Sequence, residues 1–219
     1  MAERGGHSKP RDVLEELLAQ SGAPVKLFET DRAVCPACGK PDMWVEEYVY
    51  KVPIFDYIIL TVGRCRSCGY TFRDVKLAEQ TEPKKIVVSV EGENQLRYLV
   101  ARSPQSAVVI PEVGLEMVPA RASVGFITTV EGLLWRFHEV AVPACKHVQG
   151  DEERYRKCME AVKWIERAIE GKEKFTLIIC DYDGKSRIVG ENVGVEELDE
   201  DCRRRCPQCP GQLGRPTQS

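Results

Sequence analysis

Apolar residues along this chain switch repeatedly between a helical and an extended repeat. Near the start, Val13, Leu14, Leu17 and Leu18 fall on one side of a 3.6-residue repeat, predicting a short helix over Arg11 to Gln20 that Ser21-Gly22 ends. From Met43 to Arg64 the pattern is extended. Trp44, Val45, Tyr48, Val49 and Tyr50 make one strand, Pro53 interrupts it, and Ile58, Ile59, Leu60 and Val62 make the next. After Pro83, Ile86, Val88 and Val90 alternate with Val87, Ser89 and Glu91. Short apolar runs follow at Leu96–Val100, Ala107–Ile110 and Val113–Val118, punctuated by Pro104, Pro111, Gly114 and Pro119. Short strands at such close spacing predict a compact all-β sandwich or barrel. Phe175–Cys180 and Ser186–Val189, joined through Asp183-Gly184, read as a β-hairpin.

A helical segment is inserted among these strands. Thr128-Thr129-Val130-Glu131 has capping-box spacing, and Val130, Leu133, Leu134, Phe137 and Ala141 form an apolar stripe that Pro143 should stop. A second helix over about Asp151 to Glu170 carries Tyr155, Cys158, Met159, Val162, Ile165 and Ile169 on one face and ends at Gly171. Joined by a loop of roughly nine residues, the two make an αα-hairpin. At 100° per residue, Trp135 falls about 140° from Val130 and Trp164 about 180° from Tyr155. Both rings are therefore expected on the outer face, Trp135 with Arg136 and Glu139, and Trp164 beside Arg167. Tryptophan and arginine on a polar face are the residues of protein-binding hot spots. The alternative is a hairpin packed on both faces inside this chain.

Against that frame the cysteines stand out. Cys35-Pro36-Ala37-Cys38 and Cys65-Arg66-Ser67-Cys68 are separated by 26 residues, and each is followed by glycine, Gly39 and Gly69. Two residues between cysteines let both thiolates of a tight turn converge on one ion, and the glycine lets the backbone turn back with φ > 0. Two such knuckles supply four sulfurs, the tetrahedral set that suits Zn²⁺. The segment therefore reads as a zinc ribbon with a small sheet between its knuckles. A closed four-sulfur site has no open position for water, so the metal speaks to folding and not to catalysis.

Six of the ten cysteines remain. Cys202, Cys206 and Cys209 could hold a second metal if Cys180, His147 or another chain supplied a fourth ligand; free thiols or a disulfide are the plainer reading. Cys145 and Cys158 read as loop and core thiols, or as a staple of the hairpin. Because the chain is long and charged and four cysteines go to metal, reduced thiols are expected for the rest, unless the source is a hyperthermophile.

Charged residues make up 30% of the 219 residues, yet the formal net charge is only −3, so no global basic field points to nucleic acid. Arg64 and Arg66 flank the second knuckle, with Arg73 and Lys76 beyond and Arg203-Arg204-Arg205 near the end, but Glu46, Glu47 and Asp56 sit within the ribbon and would repel phosphate. No apolar run approaches the ~20 residues of a membrane span, and Met1 to Pro10 lacks the apolar core of a signal peptide. A soluble, cytoplasmic monomer is expected. Metal oxygenases on barrel folds need histidines converging from strands. The only histidines here are His7, His138 and His147, none on an extended segment. Gly-x-Ser-x-Gly and Gly-x₄-Gly-Lys-Ser/Thr are absent as well. No catalytic residue is assigned and the chain is expected not to be an enzyme.

Several stretches together resemble the ZPR-type zinc-finger proteins. They are Val52-Pro53-Ile54-Phe55, Cys65-Arg66-Ser67-Cys68-Gly69-Tyr70, Glu82-Pro83-Lys84, Ile110-Pro111-Glu112-Val113-Gly114-Leu115-Glu116, and Phe126-Ile127-Thr128-Thr129-Val130-Glu131-Gly132-Leu133-Leu134. The resemblance covers about residues 30 to 190 and is similar to the single-module archaeal members, eukaryotic ones carrying two tandem modules. It implies an α+β, mainly β protein: a ribbon joined to a double-stranded β-helix with an inserted helical hairpin. It also implies one bound Zn²⁺ and binding to the translational GTPase elongation factor 1A, with a folding-chaperone role in eukaryotes. The expected division is an N-terminal arm with a short helix (1–29), the zinc ribbon (30–80), the β-helix domain (81–198) with its hairpin at about 128–171, and a flexible Cys/Pro/Gly-rich tail (199–219). The function expected is that of a non-enzymatic zinc-binding adaptor or chaperone of translation. The alternative is a nucleic-acid-binding ribbon of translation or transcription.

Overall fold

The computed structural model describes residues 24–52, 55–79, 81–120 and 123–205. The helix expected over Arg11 to Gln20 lies outside them. The chain divides into two compact units after Glu79.

The first unit is one antiparallel sheet in the order β1-β2-β3-β4, formed by β1 (Val25–Ala33), β2 (Met43–Val52), β3 (Asp56–Cys65) and β4 (Thr71–Leu77). It begins earlier than the expected ribbon, because Val25 to Ala33 pair with β2 instead of forming an arm. The long β2–β3 ladder, from Met43↔Cys65 to Val52↔Asp56, is unbroken. Pleating puts Met43, Val45, Gly63, Cys65 and Phe72 on one face and Trp44, Glu46, Val62, Arg64 and Arg73 on the other. A side chain at Gly63 would run into the Phe72 ring, its Cβ 2.2 Å from that ring, so the glycine clears space for the aromatic.

The second unit is mainly β with helices. Its strands are β5 (Lys84–Val90), β6 (Leu99–Arg102), β7 (Ser106–Ile110), β8 (Leu115–Met117), β9 (Phe126–Thr129), β10 (Phe175–Asp181), β11 (Arg187–Val189) and β12 (Gly194–Glu196). They form a five-stranded sheet, β12-β5-β10-β7-β8, and a three-stranded one, β11-β6-β9. The alternation read in β5 is the reason for the core. Ile86, Val88 and Val90 face inward opposite Ile179, Leu177 and Phe175 of β10, and Val100 and Ile188 join from the smaller sheet.

Three local expectations are corrected. The expected strand from Leu96 starts instead with a helical turn, α1 (Glu93–Leu96), before β6 begins. Phe175–Cys180 and Ser186–Val189 do not pair with each other. β10 lies between β5 and β7, while β11 pairs with β6 in the other sheet, so the turn at Asp183-Gly184 is a crossover between sheets. Gly184 is required there: it has φ 69° and a Cβ would lie 1.7 Å from the Thr81 carbonyl oxygen. The segment expected as a flexible tail begins with a further helix, α4 (Glu200–Arg205).

The inserted hairpin consists of α2 (Val130–His147) and α3 (Glu152–Ile169). The N-cap of α2 is Thr129, whose hydroxyl accepts the Gly132 N–H at 3.0 Å. Thr128 is the last strand residue but one, so the capping box with Glu131 is not formed. Gly132 is instead pressed against Thr128, whose Oγ1 a Cβ would meet at 2.2 Å. α2 runs a full turn beyond Pro143, which is exposed and forfeits only one intrahelical bond. The connection is therefore shorter than expected, residues 148–151, and the Cys145–Cys158 disulfide ties the two helices beside it.

Candidate metal centre

The two knuckles are copies of one another. Cys35 N–H donates to the Lys40 carbonyl (2.9 Å) and Gly39 N–H to the Cys35 carbonyl (2.8 Å). Cys65 N–H donates to Tyr70 (2.8 Å) and Gly69 N–H to Cys65 (3.0 Å). Gly39 and Gly69 have φ of 72° and 75°, the left-handed conformation that the trailing glycines were read to supply. One knuckle lies between β1 and β2, the other between β3 and β4. The Met43↔Cys65 pairing at the end of the β2–β3 ladder sets them side by side. Arg66 N–H donates to the Asp42 carbonyl (3.0 Å) and Ser67 Oγ to the Asp42 carboxylate (2.7 Å), tying one turn to the other.

Cys35, Cys38, Cys65 and Cys68 thereby bring their sulfurs within 4.8 Å of one another. The Cys35–Cys68 and Cys38–Cys65 separations are both 3.7 Å. A tetrahedron with metal–sulfur bonds of about 2.3 Å has edges of about 3.8 Å, so the donor set fits Zn²⁺ in size and in softness. Cys35 and Cys65 are buried against Ala33, Met43, Val45, Tyr70 and Phe72, while Cys38 and Cys68 are exposed. These four cysteines would hold the ion, and with four protein sulfurs no position is left for substrate.

On the opposite face, a feature missed in the sequence surrounds Glu46. Its carboxylate is nearly buried, is ion-paired to Lys26 and accepts the Tyr48 hydroxyl at 2.7 Å. Those two bonds hold the Glu46 carboxyl below its usual range, and the pairing with Glu46 and Glu29 raises the Lys26 ammonium. Only the position of Lys26 on a strand that pairs with β2 reveals this, and the sequence pattern there predicts an arm and no strand.

The ribbon and the domain after it can be compared with known proteins. The model of the ZPR1 zinc-finger domain matches residues 29–83, and that of the ZPR1 jelly-roll domain matches residues 94–205. The chain belongs to the ZPR1 zinc-finger family. A ZPR1-like protein of Pyrococcus horikoshii is 33% identical over 190 residues, spanning 85% of each chain. Another, of Methanocaldococcus jannaschii, is 34% identical over 171 residues, 78% of this chain and 86% of the relative. The zinc finger chaperone zpr1 of Schizosaccharomyces pombe is 28% identical over 158 residues, 69% of this chain but only 34% of its own length. This chain thus matches the archaeal ZPR1-like proteins over most of their length and spans about a third of the eukaryotic one. Zinc is the cofactor of its ribbon, and the double-stranded β-helix is the ZPR1 jelly roll.

Other residues singled out in the sequence separate on inspection. Trp135 is 46% exposed on α2, with Arg136 and Glu139 exposed beside it. Its ring meets the edge of His138 (5.4 Å), and the Arg136 guanidinium lies 4.1 Å from the Phe126 ring centre. Trp164 does not share that surface. It is 9% exposed and packs with Ile165 and Ala168 in the core. The first half of α3 buries only a narrow stripe, whereas its second half also meets Phe175 of β10. The apolar arc widens there, and a stripe measured from Tyr155 misplaces Trp164. Arg167 is ion-paired to Glu173. Cys202 is bonded to Cys180 and Cys145 to Cys158, so these four are not reduced thiols and Cys202 is not free to bind a second metal. Cys206 and Cys209 lie outside the described residues.

Proposed function

We propose that this chain is a non-enzymatic adaptor of the translation apparatus that binds elongation factor 1A through the outer face of α2. The observation that carries the reading is Trp135: a large aromatic, nearly half exposed, beside exposed Arg136, Glu139 and Val140. An indole in that setting offers a partner considerable apolar area and one N–H donor at low entropic cost. The Arg136 guanidinium is held over Phe126 of β9, so the first half of α2 presents a fixed surface. The fission-yeast relative is named a zinc finger chaperone, which supports a protein client. A closed four-cysteine site supports a structural and not a catalytic role for zinc.

Mechanistically, the ribbon keeps its shape through zinc and the jelly roll presents the hairpin. Neither needs to change bonds in a client. The adaptor would cover GTPase surface and leave when the client's own domains close over it, acting in the cytoplasm. No helix among the described residues is long and apolar enough to cross a membrane. The test is capture of elongation factor 1A from the native lysate by the tagged full chain, repeated with Trp135→Ala. Capture by the wild type and its loss in the variant support the proposal. Equal capture by both moves the contact elsewhere.

A further inference from the structure

The ribbon face opposite the Met43–Phe72 side carries chemistry that the adaptor role does not use. On it, sheet register places Trp44 beside Arg64 and Thr71, and Glu46 beside Val62 and Arg73. Trp44, Val62 and Arg73, with Thr71 and the backbone neighbours Gly63 and Phe72, line an open groove of about 560 Å³. Arg64 and Arg73 are exposed, and so is Arg66 at the adjoining knuckle. Among the described residues no ion pair engages any of these three guanidiniums, whereas Lys26 and Lys76 of the same sheet are paired.

Of the acidic residues that should repel phosphate, Glu46 and Glu47 are spoken for, and Asp56 pairs with Val52 at the end of the β2–β3 ladder away from the knuckles. Glu46 is buried under Lys26 and Tyr48. Glu47 points to the other face, where it accepts the Thr61 hydroxyl (2.8 Å) and pairs with Lys76 (3.5 Å). Glu29, which accepts the Trp44 indole N–H at 3.4 Å, is itself paired to Lys26 at 3.1 Å. What remains at the groove is an aromatic ring held by its N–H, flanked by guanidiniums that no ion pair engages among the described residues.

We propose that this face binds single-stranded RNA, a base stacking on Trp44 and phosphates lying on Arg64, Arg66 and Arg73. The repeating unit of a single strand is a flat base and an anion, and the groove offers one site for each. Arg64 and Arg73 are diagonal neighbours on adjacent strands, about 7–8 Å apart at the backbone, so they engage successive anions and not one. An acidic peptide would use the guanidiniums and leave the ring face idle. A duplex keeps its bases stacked and out of reach of Trp44.

The experiment uses the zinc-loaded full chain and a fluorescein-labelled twelve-nucleotide oligouridine, read by anisotropy. Saturable binding is expected, and with three phosphate contacts on a single strand it should weaken roughly twentyfold between 50 and 200 mM salt. Arg64→Ala with Arg73→Ala should weaken it at least about tenfold and flatten the salt slope by about 1.4. Trp44→Leu should cost at least about fivefold with the slope unchanged. Arg156→Ala, whose cation is paired to Glu160 on α3, should bind as the wild type does. Zinc content of one ion per chain in each variant secures the fold. Three results would overturn the proposal: no saturable binding at the lower salt, full affinity in the arginine double variant, or displacement by polyglutamate as effective as by unlabelled oligouridine. Elongation factor capture by the same variants should be unaffected, which separates this surface from α2.

Discussion

The Trp164 ring stands edge-on to that of Phe175, their centroids 5.5 Å apart and their planes at 73°. This contact joins the second half of α3 to β10 and separates the two hairpin tryptophans by role. Trp164 is a core residue, and Trp135 is a surface residue. Trp164→Ala removes a buried indole and its aromatic partner's contact, with an expected loss of about 3–5 kcal/mol. Trp135→Ala should change stability by less than about 0.5 kcal/mol while abolishing capture of elongation factor 1A. Urea unfolding of both variants beside the pull-down checks the pair. A strongly destabilised Trp135→Ala would mean that the exposed ring is holding the hairpin in place.

Zinc should be present at one ion per chain, and the ribbon should depend on it. Few apolar side chains cluster at the knuckles, Met43, Val45, Tyr70 and Phe72 chief among them. Metal binding in such sites contributes on the order of 10 kcal/mol. Cys65→Ser should therefore unfold residues 25–77 and leave the jelly roll cooperative, since the latter has its own core around Ile86, Leu177 and Ile179. Amide exchange resolved by segment would show rapid exchange in the ribbon alone. Unchanged protection there, in metal-free protein, would refute the dependence.

How much of this was legible in the sequence follows from the range of the interactions. The knuckles were, because each is set by a handful of consecutive residues. So were the alternation in β5 and the helices of the hairpin. What was not legible depends on partners far along the chain. The turn at Asp183-Gly184 looks like a hairpin turn, but β10 is claimed by β5 and β7 and β11 by β6, so the local signal yields to the sheet. Pro143 marked a stop that its exposed position does not enforce. The Cys180–Cys202 bond joins a central strand to a helix in a segment read as tail, and no spacing announces it. The Glu46–Lys26 pair was hidden for the same reason.

The two disulfides should be worth measurable stability. They close short loops, with sequence separations of 13 and 22, and the chain-entropy estimate for such loops is about 3 kcal/mol each. Cys180–Cys202 also fastens α4, whose Cys202 carbonyl accepts the buried Tyr182 hydroxyl at 2.5 Å. Reduction with a strong dithiol should lower the melting temperature of the jelly roll. Cys180→Ser with Cys202→Ser should reproduce its own share. Amide exchange should then rise in residues 200–205 before it rises elsewhere. Equal melting of oxidised and reduced protein, with the bonds verified by mass spectrometry, would contradict this.

A last expectation concerns pH. Asp181 is fully buried at the end of β10, where its carboxylate accepts the Ser186 N–H (2.9 Å) and hydroxyl (3.1 Å). Burial pushes its pKa up to about 6 from the ordinary 3.8; the Ser186 bonds oppose this, and nearby Asp183 adds to it. The folded protein therefore holds a proton on Asp181 at pH values where the unfolded chain has lost it. Stability from this group is fully present below about pH 4, declines as pH rises through about 6, and is flat above, a change on the order of 3 kcal/mol. Asp181→Asn cannot titrate and should lack that decline. The comparison between the two proteins cancels the separate, opposite effect of zinc loss in acid, which both share. Melting of the jelly roll followed across this window should show the wild type losing stability relative to Asp181→Asn as the pH is raised. Parallel profiles would show that the carboxyl titrates at its ordinary value despite its burial.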